Sequence, residues 1–337
     1  MFFQKDCKRN KRKICFQEVF LEWLGYKVNL DGLSLRSYDR YLSDYERFFR
    51  DEALFEKTPI RQIKEKDLEL YIRKTITCLN LTNRGYARIR LILRGVFKYA
   101  YRKRFTTLHI DSCLDELDLS DRIFAKKLKP DELEVFTPDE EAAIIRYIDS
   151  RPPVLTGQGI KLLFLTGLRI GEIATLTRDD IHGQYIRINK TETSYKERDS
   201  AGKVLRIVYE VRPFPKTEAG IRTVIIPPSA LAITDTVLNL SYENTDGYLF
   251  YGAKGRMHGA VFSQRLRNIC KELGLPPRSA HKIRKTYATK LINSGLEKSL
   301  IIKQMGHTDF TTTDRFYYYN NTKKEEMVTK ICQALEE

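Results

Sequence analysis

The feature that most narrows the fold is a change of hydrophobic period along the chain, from helical spacing to strict alternation and back. Tyr38, Leu42, Tyr45 and Phe49 recur at i, i+4, i+7 and i+11, which places them on one face of a helix. Over Thr82 to Arg104, at about 100° per residue, Tyr86, Ile89, Leu93, Val96, Phe97 and Ala100 gather on one side. Arg84, Arg88, Arg94, Lys98 and Arg102 gather on the other, in a stripe almost free of acids. From Tyr185 to Pro228 the period becomes two, through Ile186, Ile188, Val204, Ile207, Tyr209, Val211, Val224 and Ile226. Turn residues at Ser200-Ala201-Gly202 and Glu218-Ala219-Gly220 divide these runs, which predicts an antiparallel sheet of about three strands. Helical spacing returns from Ser263 to the end. The class is therefore mainly α with a small antiparallel β-sheet, α+β.

A chain of 337 residues accommodates two domains of ordinary size. Residues 1–14 form a basic tail carrying Lys5, Lys8, Arg9, Lys11, Arg12 and Lys13. Residues 15–104 are expected to form a helical domain. Residues 105–134, acid-rich from Asp111 to Asp121 and polar around Pro130, look like a linker with room for a short helix. A second domain is expected over 135–322. It opens with Thr137 as helix cap, Pro138 in the first turn and Glu140 completing a capping box. Helices over Ile160–Leu168 and Arg169–Leu176 follow. In the tail 323–337, Met327, Ile331 and Leu335 make an apolar stripe, which either packs on its own domain or docks on a neighbouring protomer.

A net charge of +15 favours a polyanionic partner. Nucleic acid leads over an anionic membrane, because no lipidation signal or isolated basic amphipathic terminal helix is present. No apolar run approaches the roughly 20 residues needed to span a bilayer, and no signal peptide follows the basic N-terminus. A cytoplasmic protein is expected. The six cysteines are scattered singly, so neither a disulfide framework nor a zinc site is indicated.

Four stretches carry candidate chemistry. In Leu165-Thr166-Gly167-Leu168-Arg169-Ile170-Gly171-Glu172, an arginine sits at a turn between apolar helices and needs an anion. Glu172 either is that anion or orients Arg169 toward a phosphate. Pro215-Lys216-Thr217-Glu218-Ala219-Gly220-Ile221-Arg222-Thr223 puts a lysine beside a turn. In His281-Lys282-Ile283-Arg284, the histidine and arginine share a helix face, as two groups gripping one phosphate would. Met305-Gly306-His307 precedes, by a short loop, the cluster Tyr317-Tyr318-Tyr319.

In order and spacing these stretches resemble the signature of the tyrosine recombinase, or phage integrase, family. The likeness covers about Phe136 to Asn320, and the helical region before it resembles that family's core-binding (SAM-like) domain. Among members, it looks most like integrases of phages and conjugative transposons of Gram-positive bacteria. The resemblance implies a two-domain C-shaped DNA clamp that cuts and rejoins double-stranded DNA at attachment sites through a 3′-phosphotyrosyl intermediate. It further implies a tetramer on DNA, accessory bending or directionality factors, association with the bacterial nucleoid, and neither metal nor ATP. Carried over by position, Arg169 and Arg284 bind the scissile phosphate and Glu172 supports Arg169. His281 and His307 add hydrogen bonds, with His281 accepting the tyrosine proton, and Lys216 protonates the leaving 5′ oxygen. Tyr317 is the nucleophile by its distance from Gly306, with Tyr318 one register away. The basic stripe Arg84, Arg88, Arg94, Lys98 and Arg102 is the candidate DNA-binding face. Two rival readings are a DNA-binding protein without catalysis and a type IB topoisomerase-like enzyme.

Overall fold

The computed structural model describes residues 13–126, 130, 133–198, 203–213, 220–306 and 332. The chain divides into two compact units, Met1–Leu128 with Tyr195–Ile207, and Lys129–Ser194 with Val208–Glu337. Helices dominate both, and the strands form small sheets.

The first unit contains α1 (Phe16–Asn29), α2 (Leu35–Phe48), α3 (Ala53–Glu56), α4 (Glu65–Cys78), α5 (Asn83–Arg102) and α6 (Ile110–Asp115). Its core is aromatic, with Phe16, Phe20, Trp23, Tyr45, Phe49, Phe55, Tyr71 and Phe97 all buried. The apolar stripe read from the sequence faces this core, and Thr82 caps α5 by accepting from Gly85 N at 3.2 Å. Gly95 is required on α5 because a Cβ there would overlap the Trp23 ring.

Of residues 105–134, Ile110, Cys113 and Leu114 pack into this first core as α6. Their helix brings acids to the basic stripe. Asp111 pairs with Arg94 and Lys98 at 2.7 Å each, and Asp115 pairs with Arg90 at 3.0 Å and Arg94 at 3.1 Å. Arg88 reaches Asp44 at 3.2 Å, while Arg84 and Arg102 are exposed. The stripe is acid-free only along its own helix.

The second unit contains α7 (Pro138–Asp149), α8 (Leu155–Thr166), α9 (Ile170–Ile173), β1 (Ile181–His182), β2 (Tyr185–Ile188), β3 (Thr191–Arg198), β4 (Val204–Arg212), β5 (Arg222–Ile225), α10 (Pro228–Leu240), β6 (Tyr251–Gly252), β7 (Gly255–Arg256), α11 (Gly259–Glu272), α12 (Ala280–Asn293) and α13 (Lys298–Met305). The outer ends of β3 and β4 belong to the first unit. The Thr137 capping box forms as expected, with Thr137 N donating to Glu140 Oε2 at 2.8 Å and Glu140 N to Thr137 Oγ1 at 3.2 Å. The apolar helix α8 is packed on by α7, α9, α10, α11 and α12.

Two expectations are corrected. The helix foreseen over Arg169–Leu176 is only the single turn α9, with Arg169 as its N-cap. The alternating segment does not make one sheet. β1, β2 and β5 form the three-stranded antiparallel sheet, whereas β3 and β4 pair separately. Ile186, Ile188 and Val224 point into the core, but Val204, Leu205 and Ile207 are exposed. Alternation there reflects a two-stranded ribbon without a core face, which periodicity alone does not distinguish.

Candidate active site

The site begins where α8 ends. Gly167 closes that helix in the left-handed region at φ +61, its N–H donating to Leu163 O at 2.9 Å. A side chain at Gly167 would also overlap the Tyr287 ring. The reversal places Arg169 at the start of α9, two residues further on. Gly171 lets α9 approach β3, since a Cβ there would lie 2.6 Å from Glu192 O.

Glu172, only 1% exposed, is the hub. Its Oε2 accepts from Arg169 N at 2.8 Å and its Oε1 from Arg169 Nη1 at 2.9 Å. Arg222 grips the same carboxylate bidentately, Nη1 to Oε1 at 2.9 Å and Nη2 to Oε2 at 2.8 Å. Burial pushes the Glu172 pKa up. The Arg222 hydrogen bonds and the charges of Arg222, Arg284 and Arg169 outweigh it and hold the group at about 2. The carboxylate braces two guanidinium groups, and that of Arg169 stays 40% exposed.

The third guanidinium comes from α12. Arg284 is 1% exposed, donating from Nη1 to Gly167 O at 2.6 Å and from Nη2 to Met305 O. One turn earlier, His281 shares its face. Burial, followed by the charges of Arg284, Lys285, Lys282 and Arg169, lowers the His281 pKa from 6.5 to about 4. The residue as a whole stays open to solvent at the start of α12, and the four cations act in the same direction as burial. A neutral imidazole at pH 7 is a proton acceptor. Neighbouring residues of α12 fix the helix to the start of the unit. Glu134 accepts from Lys282 and Lys285, and Phe136 N donates to Thr286 Oγ1 at 2.8 Å.

The structure thus brings together Arg169, Glu172, His281 and Arg284. Lys216, His307 and Tyr317, with its neighbour Tyr318, lie outside the described residues, as does the tail stripe of Met327, Ile331 and Leu335. Sequence reading assigned no role to Arg222, although a signal was present. Val224 and Ile226 mark the inward face of β5, and alternation puts Arg222 on that same face, where a charge requires a partner.

Arginines braced by a buried carboxylate, next to an imidazole with a lowered pKa, make a candidate anion site with the chemistry to hold a phosphodiester and accept a proton beside it. The pattern of the phage integrase family matches residues 134–325, and the chain belongs to that family. It is similar to a XerC-like tyrosine recombinase of Caldanaerobacter subterraneus subsp. tengcongensis, 25% identical over 92% of this chain and 81% of the relative. It is also similar to the ICEBs1 integrase of Bacillus subtilis, 24% identical over 98% of this chain and 86% of the relative. Among solved structures, the Tn1549 transposon integrase in complex with transposon right end DNA shares the fold. Its TM-score is 0.67 at 19% identity, over 95% of this chain and 99% of that one. The family likeness is to tyrosine recombinases, with integrases of conjugative elements among them. Among the described residues, no helix is long and apolar enough to cross a membrane.

Proposed function

We propose that this chain is a site-specific recombinase that cleaves and rejoins double-stranded DNA through a 3′-phosphotyrosyl intermediate, integrating or excising a mobile element. The observation that carries the reading is the meeting, in one unit, of Arg169, His281 and Arg284 at the end of α13, where Arg284 donates to Met305 O and Arg169 to Gly306 O, 137 positions beyond it. Arg169 and Arg284 neutralise the non-bridging oxygens as negative charge accumulates on the phosphorus. Tyr317 attacks the phosphorus as its phenolic proton passes to His281, whose low pKa keeps it neutral and receptive. The P–O5′ bond breaks, Lys216 protonates the departing 5′ oxygen, and His307 adds a hydrogen bond to the phosphate. The phosphotyrosyl ester conserves the energy of the broken linkage, so a 5′ hydroxyl reverses the step without ATP.

The helical domain 15–104 and the catalytic domain 135–322, joined by 105–134, each contribute contacts to the DNA. On α5, Arg84 and Arg102 lead the contacts with phosphate, and Arg88 joins them by leaving Asp44. Arg94 and Lys98 contribute only by exchanging Asp111 and Asp115 for the backbone. Four protomers assemble on paired sites, with residues 323–337 docking on a neighbour and accessory factors setting direction. The protein works at the bacterial nucleoid. The test is a suicide duplex carrying the core site of the element that encodes the chain. Wild type forms an adduct that survives denaturant, and Tyr317→Phe does not. Loss in Tyr318→Phe alone moves the nucleophile by one residue. DNA bound tightly but never joined to protein leaves the non-catalytic reading.

A further inference from the structure

Three successive carbonyls at the C-terminal end of α13 are each taken by a different arginine. Gln304 O accepts from Arg222 Nε at 3.1 Å, Met305 O from Arg284 Nη2, and Gly306 O from Arg169 Nη2 at 3.2 Å. The last carbonyls of a helix lack intrahelical partners and carry its negative dipole end, so cations are favoured there. The guanidinium groups therefore depend on where this turn sits. One side chain fixes it. β5 is the edge of its sheet, and Ile226 N donates to Gln184 O on the paired side, which leaves Ile225 facing α13. Gln304 completes Ile225 as a further strand would, accepting from Ile225 N at 3.1 Å and donating to Ile225 O at 2.7 Å. Its Nε2 also donates to Tyr287 Oη at 2.8 Å, and that ring is the one covering Gly167. The two acceptors and one donor agree on the orientation of the amide.

We infer that Gln304 is a positioning residue for strand cleavage: it seats the end of α13 on β5, so that one turn of backbone sets Arg222, Arg284 and Arg169 together. The inference rests on the recombinase reading for its effect on rate, and on geometry alone for its effect on the arginines. Gln304 touches no reacting atom. A glutamine is suited because the position needs donor and acceptor at once without charge beside Arg222. Leucine keeps the volume and offers neither.

The experiment uses the full chain with Gln304→Leu and Gln304→Ala. Two quantities are measured at a temperature where the variants are folded, as judged by circular dichroism. They are the single-turnover rate of adduct formation on saturating suicide duplex, and the equilibrium affinity for that duplex. Misplacing the arginines slows the rate roughly 10- to 100-fold, with affinity unchanged within about threefold. Combining Gln304→Leu with Arg169→Lys costs less than the product of the two single losses, because Arg169 is one of the three guanidinium groups through which Gln304 acts. In parallel, the Arg222 Nε–H resonance is expected to be protected from solvent exchange in wild type and to lose that protection in Gln304→Leu. The assignment is overturned by a Gln304→Leu rate within twofold of wild type, by losses that multiply with Arg169→Lys, or by an unchanged Arg222 resonance. A wild-type protein that binds the duplex and never cleaves it refutes the recombinase reading alone, and the arginine resonance then decides the positioning role.

Discussion

Replacing Arg222 with methionine tests the hub at Glu172 most severely. The substitution keeps apolar volume but removes two of the four hydrogen bonds to a carboxylate that is 1% exposed. Breaking a buried ion pair by removing one partner costs about 3–5 kcal/mol. Arg169 remains to accept part of the charge, which argues for the lower end, about 3 kcal/mol. For a folding unit of roughly 200 residues, 1 kcal/mol moves Tm by about 2–4 °C, so the transition of the second unit falls by about 6–12 °C. The penalty belongs to the ionised carboxylate. Without Arg222 its pKa rises by about 2 units, the equivalent of about 3 kcal/mol, so the difference from wild type shrinks as pH is lowered from 7 toward 3, most of it below about pH 4. Arg222→Met combined with Glu172→Gln is less destabilised than the sum of the two single changes. Calorimetry of the four proteins at the two pH values measures this. A drop below about 2 °C at pH 7, or one equally large at about pH 3, contradicts this.

Three further outcomes follow from the same geometry. The folded pKa values of Glu172 and Glu134, both about 2 against an ordinary 4.5, mean that their stabilisation is complete above pH 4.5. It is lost as pH falls from about 4.5 toward 2, which acid titration by circular dichroism reads as a steepening loss of fold below pH 4.5. His281, with its pKa lowered to about 4, stays neutral through the physiological range, so adduct formation shows no loss between pH 7 and 5 from this group. A rate that instead falls around pH 6.5 contradicts the neutral-base assignment. Gly167→Ala loses about 2–4 kcal/mol, from left-handed backbone strain and overlap with Tyr287, and a thermal melt close to wild type contradicts that.

What the sequence revealed depended on whether the relevant partner was near in the chain. The amphipathic face of α5, the Thr137 capping box and the turn at Gly167 depend on residues within a few positions, and each is visible in a short window. The basic stripe needed more. Its neutralising acids, Asp111 and Asp115, lie in a stretch whose polarity suggested a linker but whose Ile110, Cys113 and Leu114 fold against the first core. Alternation over Tyr185–Pro228 announced strands but not that β3 and β4 leave the sheet, because an exposed ribbon and a half-buried strand share one period. At the site, Arg169, Glu172, His281 and Arg284 were legible as motifs. Arg222 and Gln304 were not, since their importance comes from contacts across 50 and 79 positions. For Arg222 the inward register of β5 was the available clue.

The most direct measurement of the central claim is the identity of the residue joined to DNA. The adduct formed on a suicide duplex is digested with nuclease and protease, and the nucleotide-bearing peptide is sequenced by mass spectrometry. The account predicts a 3′-phosphonucleotide on the oxygen of Tyr317, absent when Arg169 or Arg284 is replaced by alanine in protein that still binds the duplex. A nucleotide on a residue outside the Tyr317–Tyr319 cluster, or an adduct that survives both arginine substitutions, contradicts it.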